Sequence, residues 1–124
     1  MPTEKALNSP PRVNITEKKT GVISYDWTRW FTDVWFSLPK QETYSVALNP
    51  GSVAANTTDE QTFTVTGIRT NDIITINKPT ETTGLGIVNA RSTGTDQIAV
   101  TFMNTTAGAI DAGEETYLIL ATRL

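Results

Sequence analysis

The 124-residue chain has no cysteine and no histidine. Those two absences exclude disulfide cross-links, the usual zinc ligand sets, thiol and imidazole nucleophile pairs and the commonest general base. A chain without cysteine also fits synthesis in a reducing compartment. No run approaches the roughly 18 consecutive apolar residues of a membrane span, and residues 1 to 11 lack the apolar centre of a secretory signal. Synthesis in the cytoplasm is expected, with no membrane partner. Positive charge is scarce and scattered: residues 1 to 43 carry six cations against five carboxylates, and residues 44 to 124 carry four against eight, a net −4. With no basic stripe, nucleic acid is not an expected partner.

What the chain has instead is a local excess of aromatic side chains. All three tryptophans fall in YDWTRWFTDVWFSL, from Tyr25 to Leu38. Trp27, Trp30, Phe31, Val34, Trp35 and Leu38 recur at helical spacing and form one apolar stripe, with Thr28, Arg29, Thr32, Asp33 and Ser37 opposite. Ser24 or Asp26 can cap the start, and Pro39 disfavours helical backbone at Leu38. The spacing therefore predicts an amphipathic helix over 24–38. Isolated helices shorter than roughly 12 to 15 residues are marginal in water, so this one needs a surface to lie on. It is expected to be a docking element, with those six residues as its interface. The plainer alternative is that the stripe covers the chain's own core.

Before the helix, residues 1–23 hold Pro2, Pro10, Pro11 and isolated apolar side chains, and are expected to be an extended arm. After it, residues 39–43 are expected to be a polar linker. From Tyr44 to the C-terminus the period changes to two. Alternating segments lie at Tyr44 to Leu48, Gln61 to Thr66, Ile73 to Asn77, Leu85 to Arg91, Gln97 to Met103 and Thr116 to Thr122, separated by Gly, Pro, Asn and Asp. On Leu85 to Arg91 the alternation puts Leu85, Ile87 and Asn89 on one side; Ser92 to Asp96 is expected to turn through a positive φ at Gly94. Residues 44–124 are thus expected to be an antiparallel β-sandwich or small barrel. The last segment is apolar on both faces, so it is either a central strand or meets a neighbouring subunit.

Chemistry has little to work with. Asp59 with Glu60 and Glu114 with Glu115 are adjacent carboxylates in polar stretches, where solvated charge is the ordinary state. Asp111, Glu114 and Glu115 match no calcium-loop spacing. Gly84-Leu85-Gly86 lacks the third glycine and the following helix of a dinucleotide loop. Three glycosylation sequons, at Asn14, Asn56 and Asn104, read as chance in a threonine-rich chain. No catalytic residue, cofactor or metal is expected, and an enzyme is the least favoured class.

The chain also resembles a family. The order arm, Gly21-Val-Ile-Ser-Tyr-Asp-Trp-Thr-Arg-Trp-Phe31 and small β-domain is similar to accessory virion proteins of tailed bacteriophages. The β-domain segments that carry the likeness are Pro50-Gly-Ser-Val-Ala-Ala-Asn-Thr-Thr58, Gln61-Thr-Phe-Thr-Val-Thr-Gly67, Asn77-Lys-Pro79, Gly84-Leu-Gly-Ile-Val-Asn-Ala-Arg91 and Val100-Thr-Phe-Met-Asn-Thr-Thr106. The resemblance implies a non-enzymatic structural protein located on the virion: a head decoration or cement protein, or a short head fibre. It implies homo-oligomers, often homotrimers, and docking on the major capsid protein or another virion protein. The alternative is a tail fibre or its adaptor. A carbohydrate-binding module is less favoured, because the predicted sandwich contains no tryptophan.

Overall fold

The structure, a computed structural model, describes residues 10–11, 15–16 and 23–124. Most of the expected arm lies outside the described residues. Two compact units divide the chain, Met1–Pro39 with Leu124 and Lys40–Arg123.

In the first unit Thr16 and Ile23 form an antiparallel bridge, and the Ser24 amide donates to the Ile15 carbonyl at 2.6 Å. Helix α1 then runs Tyr25–Ser37. Ser24 holds the N-cap position with extended backbone, but its hydroxyl makes no capping bond; the expected side-chain cap is absent. The Ser24 carbonyl accepts the Thr28 amide at 3.0 Å and so begins the helical ladder. Leu38 is extended, φ −80° and ψ 136°, as the following proline requires. It therefore stands just past the helix, and the expected range 24–38 contracts by one residue at each end.

The second unit contains six strands: β1 Lys40–Leu48, β2 Thr57–Thr64, β3 Ile73–Asn77, β4 Leu85–Gly94, β5 Gln97–Asn104 and β6 Glu115–Arg123. They form two antiparallel three-stranded sheets, β1-β6-β3 and β2-β5-β4, which pack together as a β-sandwich. Residues 40–43, expected as linker, are strand: Lys40 pairs with Arg123 and Thr43 with Leu120. The β-domain thus starts four residues earlier than its hydrophobic alternation indicates.

The core follows from that alternation. Tyr117, Ile119 and Ala121 of β6 face Ile98, Val100 and Phe102 of β5, and all six are buried. Every member of the core cluster, including its partly buried rim, lies between Tyr44 and Ala121. Loops contribute too: Val53, Val65 and Ile68 are buried outside the strands. Val53 exchanges two backbone hydrogen bonds with Ile110, at 2.8 and 3.0 Å, which fastens the β1–β2 loop to the β5–β6 loop.

Strand β4 departs from simple alternation. Its register against β5 shifts between Ile87 and Asn89, so Val88 is an extra residue and the side chains from Asn89 to Ser92 change face; a second shift, between Ser92 and Gly94, restores the original alternation. Ile87 and Ala90 pack on the core, and Asn89, expected beside Ile87, is exposed. The β4–β5 hairpin is tighter than expected. Its left-handed residue is Asp96, φ 60°, and Gly94 remains in the strand. Gly84, by contrast, needs to be glycine: its φ is +82° and an added Cβ would collide with the Thr106 side chain.

Candidate docking surface

Helix α1 positions the predicted interface. The 3.6-residue period brings Trp27, Trp30 and Phe31 together, with ring centroids 5.3 to 5.8 Å apart and tilted or edge-on contacts. One turn further on, Phe31, Val34, Trp35 and Leu38 line an open, mostly apolar depression together with Thr32 and Phe36. The stripe is therefore continuous but falls into two parts, a ring cluster near the helix start and a hollow near its end. No residue of the helix is buried, and Trp35 is 62% exposed.

Two aromatic residues escaped the one-stripe reading. Tyr25 and Phe36 are each 73% exposed. On a helical wheel of roughly 100° per residue they stand about 160° and 180° from Trp27, and Phe36 borders the hollow that Trp35 and Leu38 line. Their signal was present in the composition of the segment, but a template that seeks a single apolar face assigns the opposite side to polar residues. The helix thus carries exposed aromatic side chains beyond the six-residue stripe, Phe36 at the border of the hollow and Tyr25 at the first residue of the helix.

The remaining candidate residues have structural occupations. Glu60 accepts two hydrogen bonds from Arg91, at 2.7 and 3.0 Å, on the outer surface of the β2-β5-β4 sheet. Asp59 is on the other face of β2, where Gln61 donates to it at 3.0 Å. Glu115 pairs with Lys78 at 2.6 Å, and Asp111 accepts the Gly113 amide within its own loop. Among the described residues no group of three or more metal-ligating side chains gathers. Asn104 is buried and committed, donating to the Val53 and Gly108 carbonyls and accepting from Thr106; its sequon is a loop clamp.

A scan of protein-family models, curated proteins and solved structures finds no match to this chain. Function must be argued from the surfaces themselves.

The electrostatics add to that argument. Arg123 donates to Asp72 at 2.9 and 3.1 Å and to the Gly67 carbonyl at 2.7 Å, and pairs with Glu42 at 2.9 Å. Hydrogen bonds from Tyr44 and then the Arg123 charge hold Glu42 below the usual carboxylate range. Bonds from Arg91 do the same for Glu60, and bonds from Lys78 and Thr80 for Glu115. For Asp72, burial opposes ionisation, but its hydrogen bonds from Arg123 and the Arg69 amide outweigh that and lower its pKa. A general acid needs a raised carboxyl pKa. These four are held in the anionic form as ion-pair partners, a stabilising role.

Proposed function

We propose that this protein is a non-enzymatic accessory structural protein of a phage virion. Helix α1 and the arm attach it to the particle, with the major capsid protein as the partner surface, and the β-sandwich is displayed outward. The observation that carries this reading is the mismatch between aromatic content and burial. The helix holds all three tryptophans yet buries none of its residues, whereas the sandwich assembles its core from residues 44 to 121. Exposed aromatic surface of this density is costly to keep in water and is the usual composition of interface hot spots. The resemblance to phage accessory proteins supplies the kind of partner. Many identical copies on one lattice would add their contacts through multivalency.

Particles assembled with the wild-type chain and with the Trp30→Ala/Trp35→Ala chain test the reading. Gradient-purified particles are expected to carry the wild type in hundreds of copies and to lose the double variant, while the variant keeps the circular dichroism of the sandwich. Normal occupancy by the double variant would sink the docking role. A few tens of copies or fewer per particle would move the protein from the head to the tail, as a fibre or fibre adaptor.

A further inference from the structure

The two sheets of the sandwich have different outer faces. On the β2-β5-β4 sheet the outward residues include the Glu60–Arg91 ion pair, which reaches across β5 past Thr101. The outward positions of the β1-β6-β3 sheet run alternately from Gln41 to Ala47, from Thr116 to Thr122 and from Ile73 to Asn77. None of them is charged. At the centre of this face Leu118 is 49% exposed, Leu120 lies beside it on the same strand, and Ile73 on the neighbouring strand is 51% exposed. Serine and threonine occupy most of the surrounding positions. β6 is the central strand of its sheet, which explains its inner apolar residues and leaves the outer leucines to be accounted for.

We infer that the outer face of the β1-β6-β3 sheet is a contact surface for a second copy of this chain, packed face to face about a two-fold axis. Three features favour a copy over a foreign partner. Residues 44–124 carry a net −4, so two copies repel wherever their carboxylates meet, and an uncharged face is where they can approach without that cost. A foreign partner of specific affinity is ordinarily steered and selected by complementary charge, which this face does not present. Hydroxyl groups both donate and accept, so a surface of threonine, serine and aliphatic side chains is complementary to itself, as a two-fold contact requires. Antiparallel sheets pack in this way with strands about 30° apart. Eleven outward positions make a smaller patch than the roughly 20 to 30 residues per side of a standard interface. The dimer is therefore concentration-dependent, with a dissociation constant between about 1 μM and 1 mM. The inference does not depend on helix docking.

Sedimentation equilibrium of the full chain, in wild-type form and in four variants, tests it. Leu118→Lys places a charge at the centre of the face. Thr75→Lys exchanges one exposed polar side chain for another and keeps the fold if Leu118→Lys does not. Thr62→Lys is the control on the outer face of the other sheet, and Trp30→Ala/Trp35→Ala is the control for association through the helix. Each lysine lowers the net negative charge, so general repulsion would favour association in all three. The expected result is a wild-type dimer, a rise of roughly tenfold or more in its dissociation constant for Leu118→Lys and Thr75→Lys, and no change for Thr62→Lys or the helix variant. A wild type that stays monomeric at about 1 mM would overturn the inference. So would a dimer indifferent to Thr75→Lys, or one lost equally in Thr62→Lys. Loss in both the sheet and the helix variants would name the partner's helix as the occupant and would overturn it too.

Discussion

Helix α1 and strand β5 are both rich in apolar side chains, and the structure treats them in opposite ways. Of the eight residues of β5 five are buried, and Ile98, Val100 and Phe102 are fully enclosed between the sheets. Of the thirteen residues of α1 none is buried. Hydrophobic content is thus not what separates a core element from an exposed one. Position in the sheet encloses β5: it is the middle strand, with β2 and β4 on its edges and the β6 side chains across the core. A helix of three to four turns satisfies its backbone internally, and the side chains of α1 stay exposed or half-buried.

The largest expected effect tests that contrast directly. Truncating Phe102→Ala removes an enclosed ring and leaves a cavity, at a cost of about 3 to 5 kcal/mol. Urea unfolding followed by far-ultraviolet circular dichroism should show a matching drop in midpoint. The Trp30→Ala/Trp35→Ala chain removes more aromatic surface, yet its sandwich transition is expected to stay within about 0.5 kcal/mol of the wild type, because neither residue belongs to the sandwich core. Similar losses in the two variants would mean that the helix belongs to the cooperative core, and the comparison would break.

A smaller effect concerns pH. The Asp72 side chain is enclosed, and Arg123 and the Arg69 amide hold its pKa below the unfolded carboxyl's 3.8. A lowered folded pKa means that the stabilisation is complete above the unfolded value. It is lost as pH falls from there through the folded pKa, because protonation then favours the unfolded chain. Asp72→Asn is expected to lower the melting temperature at neutral pH and to flatten part of the acid decline. The rest of that decline belongs to Glu42, Glu60 and Glu115, whose pKa values are lowered as well. No acid-linked difference is expected between wild type and the tryptophan variant. An unchanged acid slope in Asp72→Asn would remove this pair from the account.

The parts of the fold that could be read from the sequence are those where one residue pattern has one physical cause. Alternation at Gln97 to Met103 and Thr116 to Thr122 located both central strands, and Pro39 marked the helix end. The first residues of β1 and β2 were illegible because they are polar at edge positions: Lys40 to Thr43 and Thr57 to Glu60 are strand through backbone pairing and cross-strand ion pairs, not through apolar alternation. The Val88 bulge was hidden for a related reason, since Ile87, Val88 and Ala90 all suit a strand and nothing local says which of them is the extra residue. Asp96 adopts the left-handed conformation that glycine would have been expected to take; aspartate tolerates it, and its carboxylate accepts the Gly67 amide at 2.8 Å. On the helix the six-residue stripe was legible, and Tyr25 and Phe36 were not. The uncharged face of the β1-β6-β3 sheet was half legible. Two apolar faces on the last strand allowed either a central strand or a contact; β6 is the central strand of its sheet, and the contact is what we propose for its outer face.

The smallest effect distinguishes two tyrosines. Tyr117 is wholly enclosed in the sandwich core and its hydroxyl finds no hydrogen-bond partner, whereas Tyr25 on the helix is 73% exposed. Burial first, and the Glu115 charge second, push the Tyr117 phenol from 10.0 up to about 12. A raised folded pKa means that the folded state keeps a proton that the unfolded chain releases. The associated stability is present in full below pH 10 and is lost as pH rises through about 12. An unpartnered buried hydroxyl is itself a cost, since folding strips it of water and returns nothing. Tyr117→Phe is therefore expected to leave stability at neutral pH unchanged or raise it by up to about 1 kcal/mol, and to reduce the alkaline loss, with Tyr44 accounting for part of what remains because its pKa is raised too. The same exchange at exposed Tyr25 is expected to leave the neutral stability of the sandwich unchanged. If Tyr117→Phe instead destabilises the sandwich as a core truncation would, the hydroxyl has a partner in solution and the core is more polar at that end than its residues indicate.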